Sequence, residues 1–408
     1  MRISKKISIL IRMFLLSSIG SGYTMNSTEN EKKETTDATV SKEVQQFDKQ
    51  LTSLLDSLKV PGIAVLVFTK DKVLYKKEIG YANIEKKIPY TLDTVTNIAS
   101  ISKTFIGGSL AKAQEDGLLS LDEDINGILP FKVVNPYFPN EKITLKNLAS
   151  HTSGINDDDT KYINSYSAYG AKNMTLKDFL YNYLNPEGKW YSKDNFSNNK
   201  PGTSFSYSNI GSALAGYCIE ARCNMTYANY ERKNIFEKLF MSSSGWDRSE
   251  FNPANIAIDY SKLRVDFANH TESMGDTLEP MPAYELITYP DGGVMTTVND
   301  LSKYLQAVMK RQDTFITEKS IDLMLQKQFN HTNIPPECKE TNENIGLFWS
   351  YNGERIWGHT GSDPGVDTSM YVNSNNIGII TFINTDDSSL DEEKYGELIN
   401  LLINCPIK

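Results

Sequence analysis

Strand-forming segments stand at both ends of this chain and helical ones fill its middle, a layout that only a few folds accommodate. Near the start, residues 62–69 and 73–80 read as two apolar strands around the polar turn Lys70-Asp71-Lys72. Ahead of them Val44, Phe47, Leu51, Leu54, Leu55 and Leu58 recur at helical spacing over residues 41–59, with Ser41 as N-cap and Pro61-Gly62 as the stop. At the far end, residues 345–350, 355–359, 368–373 and 377–383 read as successive antiparallel strands, with Asn352-Gly353 and Asn375-Asn376 supplying turn chemistry. A closing helix over 391–404 brings Leu398, Leu401 and Leu402 onto one face. Between the two blocks, helical periodicity marks 100–116, 144–150, 176–184, 209–221, 227–239, 299–310 and 318–327. Two sheet halves separated by a helical insertion imply an α+β protein: one antiparallel sheet built from both chain ends, flanked by helices, with a helical lobe inserted over roughly residues 100–330. The cleft between sheet and lobe is the natural place for a site.

Composition narrows what that site does. The chain has 408 residues, 39 % hydrophobic and 23 % charged, as expected of an ordinary globular core. A net charge of −9 without clustered Lys or Arg excludes a nucleic-acid partner. His151, His270, His331 and His359 are far apart, and no His-Glu-x-x-His or Cys-x-x-Cys spacing occurs, so neither a metal nor another cofactor is expected. Cys218, Cys223, Cys338 and Cys405 read as buried or free thiols, with a Cys338–Cys405 bridge left open. Residues 1–22 resemble an export signal: Arg2, Lys5 and Lys6 precede an apolar stretch, interrupted by Arg12, that closes on Gly20-Ser21-Gly22. They are too broken for a membrane span. Residues 23–40 are polar and read as a disordered spacer, which leaves 41–408 as the folded, exported part, periplasmic or extracellular.

The chemistry lies in three short motifs in order: Ser100-Ile101-Ser102-Lys103, Tyr207-Ser208-Asn209 and His359-Thr360-Gly361. Short patterns recur by chance: Ser197 with Lys200 repeats the first, and Tyr-x-Asn also occurs at Tyr81, Tyr162, Tyr183, Tyr227 and Tyr371. Context separates them. Ser100 follows the strand-like residues 94–98 and opens an amphipathic helix, where the dipole favours developing negative charge, whereas Ser197 lies in an Asn-rich stretch with nothing to hold it. Residues three apart share a helix face, so the Lys103 ammonium falls beside the Ser100 hydroxyl, and desolvation in a cleft makes it a base. Tyr207 precedes a helix and can relay a proton. His359-Thr360-Gly361 occupies an inner strand where Gly361 permits close approach of a substrate backbone, and the amides of Ser100 and Ser362 are expected to hold the oxyanion.

With these motifs in order, the chain resembles the serine β-lactamase-related family, which contains class C β-lactamases, D-alanyl-D-alanine carboxypeptidases, D-aminopeptidases and related esterases. Residues 62–65, 98–103, 116–122, 148–154, 201–209, 292–297 and 358–365 carry the resemblance. It implies a β-lactamase/transpeptidase-like fold, Ser100 as acylated nucleophile, Lys103 and Tyr207 as the proton-handling pair, and Asn209 as a donor to the substrate amide or to Lys103. His151 becomes structural. Where class C enzymes carry lysine this chain has His359, a weaker partner for a substrate carboxylate. The resemblance therefore implies a D,D-peptidase or esterase acting on a small-molecule or peptide substrate, with a weak β-lactamase, or a silent peptide-binding sensor using the same cleft, as alternatives.

Overall fold

The computed structural model describes residues 36–353 and 356–407, with side chains from residue 42 onward. Residues 1–22 and most of the polar stretch after them lie outside the described residues.

The first helix runs from Thr36 to Leu58. It begins five residues before the expected cap, so Ser41 sits inside the helix and the last residues of the polar stretch are helical. Once Phe47, Leu51 and Leu55 anchor the helix, each added residue gains one hydrogen bond and elongation proceeds through polar sequence. Strands β1 (Gly62–Phe68), β2 (Val73–Asn83) and β3 (Ile88–Pro89) follow. β4 (Thr96–Asn97) is only two residues of the expected 94–98 strand. β5 (Tyr166–Ala168), β6 (Tyr260–Asp266), β7 (Thr271–Pro280), β8 (Tyr284–Leu286) and β9 (Met295–Thr296) form small ribbons within the middle of the chain. The C-terminal strands are β10 (Glu343–Ile345), β11 (Ser350–Asn352), β12 (Ile356–Asp363), β13 (Val366–Val372) and β14 (Gly378–Ile383).

The main sheet has the order β10-β11-β12-β13-β14-β1-β2-β3, so strands from opposite ends of the chain meet at β14 and β1. β1 is buried along its whole length. Its odd residues Ile63, Val65 and Val67 pack with Ile379 and Ile383 against Phe47, Leu51, Leu398 and Leu402 of the two terminal helices. The even residues Ala64, Leu66 and Phe68 face the larger core of the helical lobe. The period-2 alternation of a strand thus makes one segment the floor of two cores.

Two segments depart from the sequence expectation. Residues 345–350 are not one strand: Gly346–Trp349 leave the sheet, Phe348 takes φ 60° with its amide bonded to the Ala149 carbonyl, and Leu347, Phe348 and Trp349 become fully buried. Burying three large apolar side chains stabilises far more than the few ladder hydrogen bonds lost. The expected helix over 227–239 is α-helical only for Tyr227–Glu231 and continues as a π-turn over Arg232–Phe236. The wider turn lets the adjacent residues Ile235 and Phe236 both enter the core. All four cysteines are free, which removes the Cys338–Cys405 bridge. Among the described residues no helix is long and apolar enough to cross a membrane.

Candidate active site

Ser100 lies in a 3-10 turn, Ala99–Ile101, that feeds directly into the Ser102–Glu115 helix. Its position is fixed from four sides. Ala99 sits at φ 46°, a left-handed conformation that an alanine adopts at a cost of about 1–2 kcal/mol, and its amide donates to Asn97 Oδ1 at 2.6 Å. The Ile98 amide bonds the Val294 carbonyl, and the Val294 amide bonds Ser102 Oγ. From the sheet, Thr368 Oγ1 donates to the Ile98 carbonyl at 3.0 Å. A Cβ at Gly361 would overlap that same carbonyl oxygen, so only glycine lets β12 press against the turn. This is the physical content of the third motif.

Lys103 is 0 % exposed and Ser100 only 7 %. The Lys103 ammonium donates to Ser100 Oγ at 2.9 Å and to the Asp291 carbonyl at 2.6 Å. It also stands 5.1 Å from the centre of the Tyr207 ring, and among the described residues the buried Tyr207 hydroxyl has no hydrogen-bond partner. The structure therefore brings the expected hydroxyl, amine and phenol together. Ser197, the rival serine, does not line this cavity.

Tyr207 is held by residues on either side. The His151 ring lies 4.4 Å from the Tyr207 ring, and its Nδ1 accepts from the Ser208 amide at 3.2 Å. Burial first, and then the nearby Lys103 charge, push the His151 pKa well below the usual imidazole range, which suits a neutral acceptor. Asp157 accepts from Ser208 Oγ at 2.7 Å and from the Asn209 and Ile210 amides at 2.6 and 3.2 Å. It satisfies the free N–H groups at the start of the Asn209–Cys223 helix and anchors the Tyr207 loop.

The cavity in front of Ser100 has a volume of ≈ 100 Å³. Tyr207, Asn209 and Ser362 line it, as do Gly292, Leu286 and the hairpin residues Leu263, Val265 and Phe267. His359, Thr360 and Gly361 do not. His359 is 2 % exposed, 6.3 Å from the Tyr207 ring centre, and its Nδ1 meets the Thr360 carbonyl at 2.6 Å. Burial and then Lys103 bring its pKa down to about 3, so the ring is neutral. Four carboxylates also line the cavity: Asp157, Asp159, Asp291 and Asp363. Asp291 accepts from the Tyr162 hydroxyl at 3.0 Å, and burial pushes its pKa up to about 7. Asp363 accepts from the Tyr166 hydroxyl. Among the described residues no group of His, Cys, Asp or Glu is disposed to hold a metal ion.

This geometry has known relatives. A match to the family described as Beta-lactamase runs over residues 45–402. Protein flp of Staphylococcus aureus (strain N315) is 27 % identical over 363 residues, which are 87 % of this chain and 66 % of that protein, so the chain spans just under two thirds of its relative's length. The human mitochondrial serine beta-lactamase-like protein LACTB is 26 % identical over 317 residues, 64 % of this chain and 55 % of that one. Among solved structures, the octameric penicillin-binding protein homologue from Pyrococcus abyssi superposes with a TM-score of 0.69 at 26 % identity, covering 88 % of this chain and 76 % of the other. EstCE1, a hydrolase with promiscuous acyltransferase activity, shares the fold with a TM-score of 0.67 at 17 % identity, over 90 % and 99 % of the two chains. With its sheet built from both termini and its Ser-Lys-Tyr cluster at the sheet–lobe cleft, the chain belongs to the beta-lactamase family.

Proposed function

We propose that the protein is a serine hydrolase that cleaves an amide or ester bond through an acyl-Ser100 intermediate, acting as a peptidase or esterase. The observation that carries this reading is the buried Lys103 ammonium 2.9 Å from Ser100 Oγ, with the unpartnered Tyr207 hydroxyl in the same cavity. In the acylation step Ser100 Oγ bonds to the carbonyl carbon while its proton passes to the Lys103–Tyr207 pair, which enters the step holding one proton fewer than an ammonium and a phenol together, as amine with phenol or ammonium with phenolate. The bond to the leaving amine or alcohol then breaks, and that group departs with the proton. Water repeats the sequence in reverse, gives up a proton to the same pair, and releases the acid as Ser100 recovers its own. The Ser100 and Ser362 amides at the cavity wall hold the oxyanion. A neutral, buried His359 offers little to a substrate carboxylate, which disfavours efficient β-lactam hydrolysis. Export of the mature chain is part of the same proposal and rests on residues 1–22 alone.

The test is Ser100→Ala. It should abolish ester turnover, labelling by a fluorophosphonate, and the mass gained by the intact protein on acylation. Unchanged turnover in the variant would refute the assignment, and a wild-type protein that gains no mass would mark a silent binder.

A further inference from the structure

Resting on that reading, we infer that the substrate of this cavity carries a positively charged amine close to the scissile carbonyl, and that Asp159 with Asp291 and Asp363 receives it. Three independent features lead there. The first is charge. Among the described residues four carboxylates line the cavity beside Ser100, while no Lys, Arg or His side chain does. Lys103, the nearest cation, is buried behind the wall and bonded to Ser100 and the Asp291 carbonyl. The second is the third motif, where His359 is neutral, is buried and does not line the cavity. A substrate carboxylate entering here would approach lining carboxylates with no lining cation to offset them. The third is the aromatic wall of Tyr162, Tyr166 and Phe267 around the same space. Aromatic faces beside carboxylates form the environment that an ammonium group favours.

The four carboxylates are not equivalent. Asp157 is committed to capping the Asn209–Cys223 helix through three hydrogen bonds. Asp291 accepts from the Tyr162 hydroxyl and Asp363 from the Tyr166 hydroxyl. Among the described residues no hydrogen bond or ion pair engages the Asp159 carboxylate, whose pKa is raised by burial and by the neighbouring Asp158 and Glu272 charges. An entering ammonium would relieve that repulsion. The residues are not disposed as metal ligands, so an organic cation is the occupant their chemistry fits.

The amine could sit on either side of the scissile bond, and two matched series distinguish the cases. On the acyl side, D- and L-alanine p-nitroanilides are compared with their N-acetyl and N-succinyl derivatives. On the leaving-group side, butyrylthiocholine is compared with its uncharged 3,3-dimethylbutyl analogue. The cationic member of one series should exceed its neutral partner in kcat/KM by about tenfold or more, as expected of a desolvated charge contact, with the anionic member lowest. Asp159→Asn should bring the cationic-to-neutral ratio of kcat/KM toward one by raising KM for the cationic member, and a ratio unchanged from wild type would remove Asp159 from the assignment. Neutral or anionic substrates turned over as well as cationic ones, in a wild-type protein whose Ser100→Ala variant is dead, would overturn the inference and leave the hydrolase reading intact. Absence of both turnover and fluorophosphonate labelling in the wild type would overturn both.

Discussion

Tyr207 shows most directly how a single residue can be kept for chemistry at the expense of stability. Its hydroxyl is buried with no hydrogen-bond partner, an arrangement that costs the folded state about 1–3 kcal/mol of desolvation. Removing it should therefore leave the fold no worse. Tyr207→Phe is expected to keep or slightly raise the melting temperature while kcat falls by about 10²–10⁴, the usual contribution of a positioned proton carrier. A coupled loss of stability and activity would mean that the hydroxyl is structural. His359 belongs to the same scale. Its pKa of about 3 leaves the ring neutral throughout the physiological range, so its own titration puts no step near pH 6.5 into a plot of kcat/KM against pH.

At the scale of elements, the contact between β12 and the Ala99–Ile101 turn ties the sheet to the nucleophile. A methyl group at Gly361 would collide with the Ile98 carbonyl and with Thr368 Oγ1, the group that holds that carbonyl. Gly361→Ala is thus expected to destabilise the protein by about 1–3 kcal/mol, as overpacking does, and to displace Ser100 enough to lower kcat. Gly127→Ala, whose added Cβ would meet only a flexible Glu123 side chain at 3.6 Å, is the control and should lie within about 0.5 kcal/mol of wild type in urea denaturation. The same contact explains what could be read from the sequence. Strands β1, β13 and β14 and the terminal helices announce themselves because each buries a regular apolar pattern, and the Ser-Lys, Tyr and Gly361 positions because a helix or strand fixes their spacing. The β6–β7 hairpin that walls the cavity was not legible: β7, Thr271–Pro280, is largely exposed and carries no alternation, and its pairing with β6 shifts register between Ser261 and Leu263. Nor were Asp291 and Asp363, while Asp157 and Asp159 stand out only by the Asp- and Tyr-rich composition of residues 156–174. The four come from three separate segments, and only the tertiary fold gathers those segments around Ser100.

For the whole molecule, burial of titratable groups makes stability depend on pH in two opposing ways. His151 and His359 are held neutral, with pKa values below that of free imidazole. Their contribution is present above about pH 6.5 and is lost as pH falls toward the folded values, because the unfolded chain then binds the extra protons. Glu231 acts in the other direction. It is 0 % exposed in the helical lobe, and burial raises its pKa well above the ordinary value of 4.5. The unfolded chain releases this proton near pH 4.5 while the folded chain retains it, so its contribution is fully present below that pH and is lost as pH rises through the folded pKa. Asp291 and Glu343, each pushed up to about 7, act the same way but finish titrating near neutrality. Above pH 7 Glu231 should therefore dominate. Glu231→Gln, which keeps the shape and removes the ionisation, is expected to match wild type in urea at pH 4.5. At pH 8 it should be more stable, by at most about 1.4 kcal/mol for each pH unit titrated. An equal difference at both pH values would show that packing around residue 231, and not its charge, sets the effect.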